Sequence, residues 1–385
     1  ADNQDLFLER LVPAREAGSH AEAVERPDGV AEPIETRTQR IQVRGAEPVE
    51  LRVRRTSQGV ILNDILAQEA LGRVEDGAPG AIPRVDSPYL LALRQVDDLP
   101  DRGFSAFLGL NRARTLDEAR AHMDGFRQVA QNLMLVHRDG GIAWHLVGLL
   151  PLRGKGSGAF PAPGWVAGYG WQGYVPQSQN PGRIDPAGAA LITANNRTIP
   201  PDYPVAVSNS WMSPYRAERI AELLAEAPPL TPAAMAQMQS DRFSIQARLV
   251  QDALRGMASN MRTADPAAWA IAEELLLPWD GVMDGSSRAA ALFALLEPAL
   301  YRALYGDELG EDLEVLMGLA IVAYNPIQET IRSGRSSFWD DLGTPEVEGP
   351  AVIWGRAIRA AERSLAERLP QREDQRLERL VDLTF

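Results

Sequence analysis

From Ile34 to Val96 apolar and polar positions alternate with period two in a series of short runs: "QRIQVRG", "VELRVRR", "GVILND" and "YLLALRQV". Alternation puts successive side chains on opposite faces of a pleated strand, and the Gly, Pro, Asn and Asp between the runs supply turns, so this region predicts an antiparallel sheet. A helix is predicted at "TLDEARAHMDGFRQV", where Thr115 and Glu118 have capping-box spacing. The apolar runs of "QNLMLVHRDGGIAWHLVGLLPLR" meet at Asp139-Gly140-Gly141, which predicts a hairpin. Residues Gly154 to Pro186, rich in Gly, Pro and aromatics, read as an ordered surface loop. Asn195 closes an apolar, strand-like run beginning near Ala190.

Beyond Ser213 the periodicity changes to helical. Ser213-Pro214 and Thr231-Pro232 each set a capping hydroxyl before a proline suited to the first helical position. Further helices are predicted at Asp265–Leu277, Ser286–Leu304, Asp312–Asn325 and Pro350–Arg368. The closing run "RLERLVDLTF" is apolar and β-prone, and both ends of the chain read as cut. The coarse map is a β-rich first half and an α-rich second half.

Composition narrows the function classes. A formal net charge of -13 opposes binding to nucleic acid, and no apolar run approaches the roughly 20 residues of a membrane helix. Cysteine is absent, which removes thiolate chemistry and leaves the compartment open. The four histidines are scattered without HExxH spacing, and no G-x-S-x-G, P-loop or dinucleotide fingerprint occurs. The run "RGKGSGAFPAPG" leads into proline rather than a helix start, so it lacks the physics of a phosphate cradle.

Two polar features stand out. Asn195 and Asn196 suit a turn, because asparagine tolerates left-handed geometry; alternatively, an asparagine amide there is a neutral donor to a developing oxyanion. Arg216 falls in the first turn of its helix, where the dipole disfavours a cation; it is either a surface residue paired with Glu218 or Asp202, or is held by a partner at a site. Ser208 and Ser210 in "VSNSWMS" are embedded in the chain and so cannot be terminal nucleophiles; they read as the turn before the helix.

The ordered set "DNQDLFLERL", "LRVRRTSQGVILND", "FLGLNRARTLDEAR", "AQNLMLVHRDGGIAW", "PLRGKG", "GWQGYVP", "ALITANNRTIPPDYP…YRAERIAELL", "LPWDGVMD" and, more weakly, "WDDLGTP" resembles the β subunit of the penicillin acylase family, amidohydrolases of the N-terminal nucleophile superfamily. The resemblance implies an α+β fold, a four-layer αββα sandwich with an added helical region. It divides the chain into a β-rich part of the core at 1–212, a helical region at 213–335, and a return to the core at 336–385, stopping before the natural C-terminus. It implies hydrolysis of an N-acylated small molecule, such as an acyl-homoserine lactone or β-lactam, by a terminal serine outside this chain. A catalytically inactive relative that binds acylated ligands is the rival; the residue at the processed junction discriminates the two.

On this resemblance Asn195 is the side-chain oxyanion donor and Arg216 organises it as a buried functional arginine. No cofactor is implied for catalysis. Some members hold a structural calcium on the segment matching "ADNQD", which maps to Asp2, the Gln4 carbonyl and Asp5, although another ligand position falls on Val207. Implied partners are a small subunit and the remaining β-subunit segments of one precursor, and the implied location is the periplasm. The chain departs from the family pattern at Gln58, Val60, Val136 and His137, which tilts the expected substrate from penicillin G toward aliphatic acyl amides.

Overall fold

The computed structural model describes residues 2–12, 22–64, 89–96, 100–184, 190–226, 230–318, 320–371 and 374–382. The chain forms two compact units, one of Ala1–Leu191 with Thr198–Ser210 and the other of Ile192–Arg197 with Trp211–Phe385.

The first unit carries the sheets. The alternating runs form strands Glu35–Ile41, Val49–Thr56, Gly59–Ile61 and Tyr89–Gln95, successive neighbours in an antiparallel array as the periodicity predicts. Strand Gln4–Arg10 extends this array beside Tyr89–Gln95, and Ala162–Pro163 adds a parallel edge, giving six strands. The inner face of Gln4–Arg10 is unusual: Asp5, Phe7 and Glu9 are buried, while the leucines between them are half-exposed. Burying carboxylates is costly unless each is paired or protonated. Asp5 is paired with Arg153, whereas burial pushes the Glu9 carboxyl above the usual carboxylate range, with the Thr56 hydroxyl donating to it at 2.7 Å.

The hairpin at Asp139-Gly140-Gly141 forms as expected, joining Gln131–Val136 to Ile142–Val147 with Gly140 at φ +94°. Thr115 accepts from the Glu118 N–H at 3.1 Å, but Glu118 reaches back to the Arg114 N–H, and the helix spans only Leu116–Ala121 before a 3-10 turn. The stretch from Gly154 to Pro186 is more than a loop. Ala162–Pro163 joins the six-stranded sheet, Trp171–Tyr174 pairs with Pro151–Arg153, and Gly182–Ile184 pairs with Ile142–Val147. Short pairings of two to four residues do not generate readable alternation, so composition alone hid them. Conversely, Ala190–Thr193 forms no strand, and the backbone bends at Ala194–Asn196.

The second unit is helical around one core. Helix Arg288–Leu309 contributes Leu292, Leu296, Leu300 and Leu304, all packed with Ile353, Trp354, Ile358 and Leu365 of helix Pro350–Arg368. Residues 336–385 lie in the helical unit, where the apolar stripe of Pro350–Arg368 packs on this core. Pro350–Arg368 has the predicted bounds, and Thr231 caps Pro232–Gln239. The predicted Asp312–Asn325 is two helices, Asp312–Gly318 and Ala320–Ser333. The terminal run is helix Leu377–Asp382 rather than a strand, since Leu380 faces the helical core; Leu383–Phe385 and Ala1 lie outside the described residues.

Arginine supplies the cation in the ion pairs of both units, with Arg54 forked on Asp64 at 2.8 and 2.9 Å; of the 39 Lys and Arg residues only Lys155 is a lysine. The Thr56-to-Asp64 motif builds a tight turn. Gly59 sits at φ +137°, where a Cβ would lie 2.0 Å from the Leu93 carbonyl oxygen of the neighbouring strand. Gly59→Ala is expected to cost ~3 kcal/mol or more, adding steric overlap to backbone strain, whereas Gly140→Ala, with open space around it, should cost about 1–2 kcal/mol. Denaturant midpoints of the two variants check this; equal losses would contradict it.

Candidate active site

Asn195 is the one described non-glycine residue with positive φ, at +64°. The left-handed region strains a Cβ-bearing residue, and asparagine is among those that enter it most readily. Asn196 completes the bend, its Oδ1 accepting from the Ala194 N–H at 3.0 Å. The turn reading is therefore correct for the backbone of the pair, and it leaves the Asn195 side chain uncommitted to the bend.

That side chain meets Arg216. Nη2 of Arg216 donates to the Ala194 carbonyl at 2.7 Å and to Asn195 Oδ1 at 2.8 Å, while the Met212 N–H donates to the Asn195 carbonyl at 3.0 Å. Guanidinium has donors only, so the amide must turn its oxygen toward Arg216 and its NH2 away from it. The result is a neutral two-proton donor held on a fixed stem. Both residues are exposed in this chain, where a buried arginine was expected, and one Nη of Arg216 makes both anchoring bonds.

Helix Tyr215–Glu226 starts one residue later than the Ser213-Pro214 pattern predicts, with the Glu218 N–H donating to the Pro214 carbonyl. Neither surface partner proposed for Arg216 holds it. Glu218 instead lies 3.9 Å from Arg332. What holds a cation at the unfavourable end of the dipole is the carbonyl and the asparagine oxygen, and a sequence shows neither contact.

The calcium expectation meets a different arrangement. Arg153 donates through Nε and Nη2 to Asp5 at 2.8 Å each, and Nη2 also reaches the Asp2 carbonyl at 2.9 Å. Trp171 Nε1 donates to the same carboxylate at 2.6 Å, and both partners of the pair are buried. Asp2 is occupied separately, accepting from the Ser208 hydroxyl at 2.8 Å and the Asn209 N–H at 2.5 Å. Gly158 closes the space, since a Cβ there would lie 2.6 Å from Asp5 Oδ1 and 2.8 Å from Arg153 Nε. Among the described residues no three acidic or histidine side chains converge as metal ligands. Asp2, Gln4 and Asp5 as placed do not fit a cation: the charge that would neutralise Asp5 is already a guanidinium. Sequence reasoning missed Arg153 and the role of Ser208 because both contacts span about 150 residues or more of chain.

No helix of the described residues is long and apolar enough to cross a membrane. The family model described as penicillin amidase matches residues 1–385. The acyl-homoserine lactone acylase QuiP of Pseudomonas aeruginosa is 32% identical over 389 residues, covering 96% of this chain and 44% of that protein. The penicillin acylase 2 proenzyme of a Pseudomonas species is 30% identical over 306 residues, covering 78% of this chain and 35% of that protein. The chain therefore spans less than half the length of these curated relatives. The solved penicillin G acylase of Alcaligenes faecalis superposes with a TM-score of 0.68 at 17% identity, over 98% of this chain and 67% of that one, which shows the N-terminal nucleophile hydrolase fold, α+β. By the match along its whole length, and by its fold, the chain belongs to the penicillin amidase family.

Proposed function

We propose that this chain is the oxyanion-stabilising part of an acylase that hydrolyses the amide of an N-acylated small molecule. The observation that carries the reading is the Arg216 bond to Asn195 Oδ1, which leaves Nδ2 as the outward donor. In such a reaction a nucleophilic hydroxyl, supplied by a serine outside this chain, adds to the amide carbon. The serine's own α-amine takes the hydroxyl proton, the carbonyl oxygen gains the negative charge, and the amine returns the proton to the leaving nitrogen as the C–N bond breaks; water then cleaves the acyl ester to release the acid and restore the hydroxyl. A donor fixed before the charge appears lowers the barrier without reorganising, and Arg216 adds a positive charge behind the donating amide. The names of the relatives favour acyl-homoserine lactones over phenylacetyl amides as substrate class. Partners in the reading are a small subunit and further segments of one precursor, working in the periplasm. The segment mapped to calcium is held in this reading by the Arg153 ion pair in place of a metal.

Asn195→Gly keeps the left-handed backbone at no steric cost while deleting the donor. It is expected to lower kcat about a hundredfold to a thousandfold at saturating acyl-homoserine lactone, with KM little changed. Asn196→Ala loses two backbone contacts, from the Ala194 N–H and to the Arg197 carbonyl, and should cost ~1 kcal/mol of stability with little effect on kcat. Steady-state kinetics on correctly processed protein decides; a normal kcat for Asn195→Gly returns the pair to the turn reading alone.

Arg216→Ala frees the amide to rotate and should lower kcat by up to about a hundredfold, less than additively with Asn195→Gly. Additive losses would mean that Arg216 acts independently of Asn195.

Chelator is expected to leave the melting temperature unchanged. Arg153→Ala, which strands a buried carboxylate, should destabilise by about 3–5 kcal/mol. A fall in melting temperature with EDTA, reversed by calcium, would overturn the metal-free reading.

A further inference from the structure

Helix Ala320–Ser333 packs into the helical core through Ile327 and Ile331, yet between them it buries the amide of Gln328, which is 6% exposed. An amide in apolar surroundings is disfavoured unless bonded, and its bonds, unlike apolar contacts, have direction. Gln328 Nε2 donates to the Ser213 hydroxyl oxygen. Ser213 belongs to the short strap that carries Arg216, and that strap is pinned at several points. The Met212 N–H bonds the Asn195 carbonyl at 3.0 Å, and the Pro214 carbonyl accepts the Glu218 N–H at 2.9 Å. The Tyr215 ring lies under Arg332 at 6.0 Å, with its hydroxyl buried. Pro214 fixes one torsion between Ser213 and Arg216, so a shift of Ser213 passes to Arg216 with little slack.

We propose that Gln328 is a positioning residue for the Asn195–Arg216 pair, acting through Ser213. The inference rests on the oxyanion reading for its catalytic meaning, but its structural claim stands apart. Gln328 touches neither Asn195 nor Arg216; it sets where the strap lies, and the strap sets how far Arg216 reaches toward Oδ1. The apolar alternative at this position would pack equally well in the core and would leave Ser213 unanchored.

Gln328→Leu and Ser213→Ala are made in the full protein and read in two ways. In hydrogen–deuterium exchange, peptides covering Met212 are expected to take up deuterium at least about tenfold faster in both variants, while peptides of Arg288–Leu309 are unchanged. In steady-state kinetics, kcat is expected to fall about tenfold with KM within about twofold, and the double variant should match either single one. Gln328→Leu should add no further loss to Arg216→Ala. Unchanged exchange at Met212 in correctly folded Ser213→Ala overturns the positioning claim whatever the kinetics show. Faster exchange with a normal kcat in both these variants and Asn195→Gly overturns the oxyanion reading and leaves the strap claim standing. Should Gln328→Leu fail to fold, Ser213→Ala carries both readouts.

Discussion

An arginine side chain can give hydrogen bonds but cannot receive them. That one-sidedness organises the candidate site. Once the Nη2 of Arg216 lies between the Ala194 carbonyl and Asn195 Oδ1, the amide has a single orientation, and the donor it presents needs no further choice of rotamer. Everything around the pair serves to keep the geometry. Asn196 tightens the bend, Met212 ties the strap back to Asn195, and the helical core provides a stationary wall behind Ser213.

A similar use of arginine fastens the first strand of the sheet unit. Asp5 points inward from Gln4–Arg10 and would be a liability there without Arg153 and Trp171. Glu9, four residues on along the same face, is not bridged by a guanidinium, and burial pushes its carboxyl above the usual carboxylate range. The same strand face thus carries two buried carboxyls met differently, Asp5 by a fixed guanidinium and Glu9 by a hydroxyl donor, with burial raising its pKa. The family resemblance mapped Asp5 to a cation, and the structure sets a guanidinium beside it: burial requires that the charge be met and does not say by which cation.

The sequence revealed whatever depends on local periodicity and turn chemistry. The alternating runs became the antiparallel array, Gly140 turned the hairpin, Thr231 capped its helix, and the stripe of Pro350–Arg368 was read to its ends. It failed where pairing is brief or distant. Trp171–Tyr174 is too short to show alternation, and the destination of Pro350–Arg368 depends on which apolar face receives it, a choice that periodicity cannot make. In the candidate site Asn195 and Arg216 were legible as anomalies, a left-handed former after an apolar run and a cation at the wrong end of a dipole. Their mutual bond was not, because 21 residues of chain separate them, and neither was Gln328, 115 residues from Ser213.

The near-exclusive use of arginine has a consequence for how the protein meets alkali. Lysine ammonium groups lose their protons near pH 10, and a surface built on them sheds its attractive charge there. Here a single lysine is present, so from neutrality to well past pH 11 the guanidinium inventory does not titrate. Arg54, bonded to Asp64, is pushed further up still, and burial shifts the Tyr215 phenol upward as well.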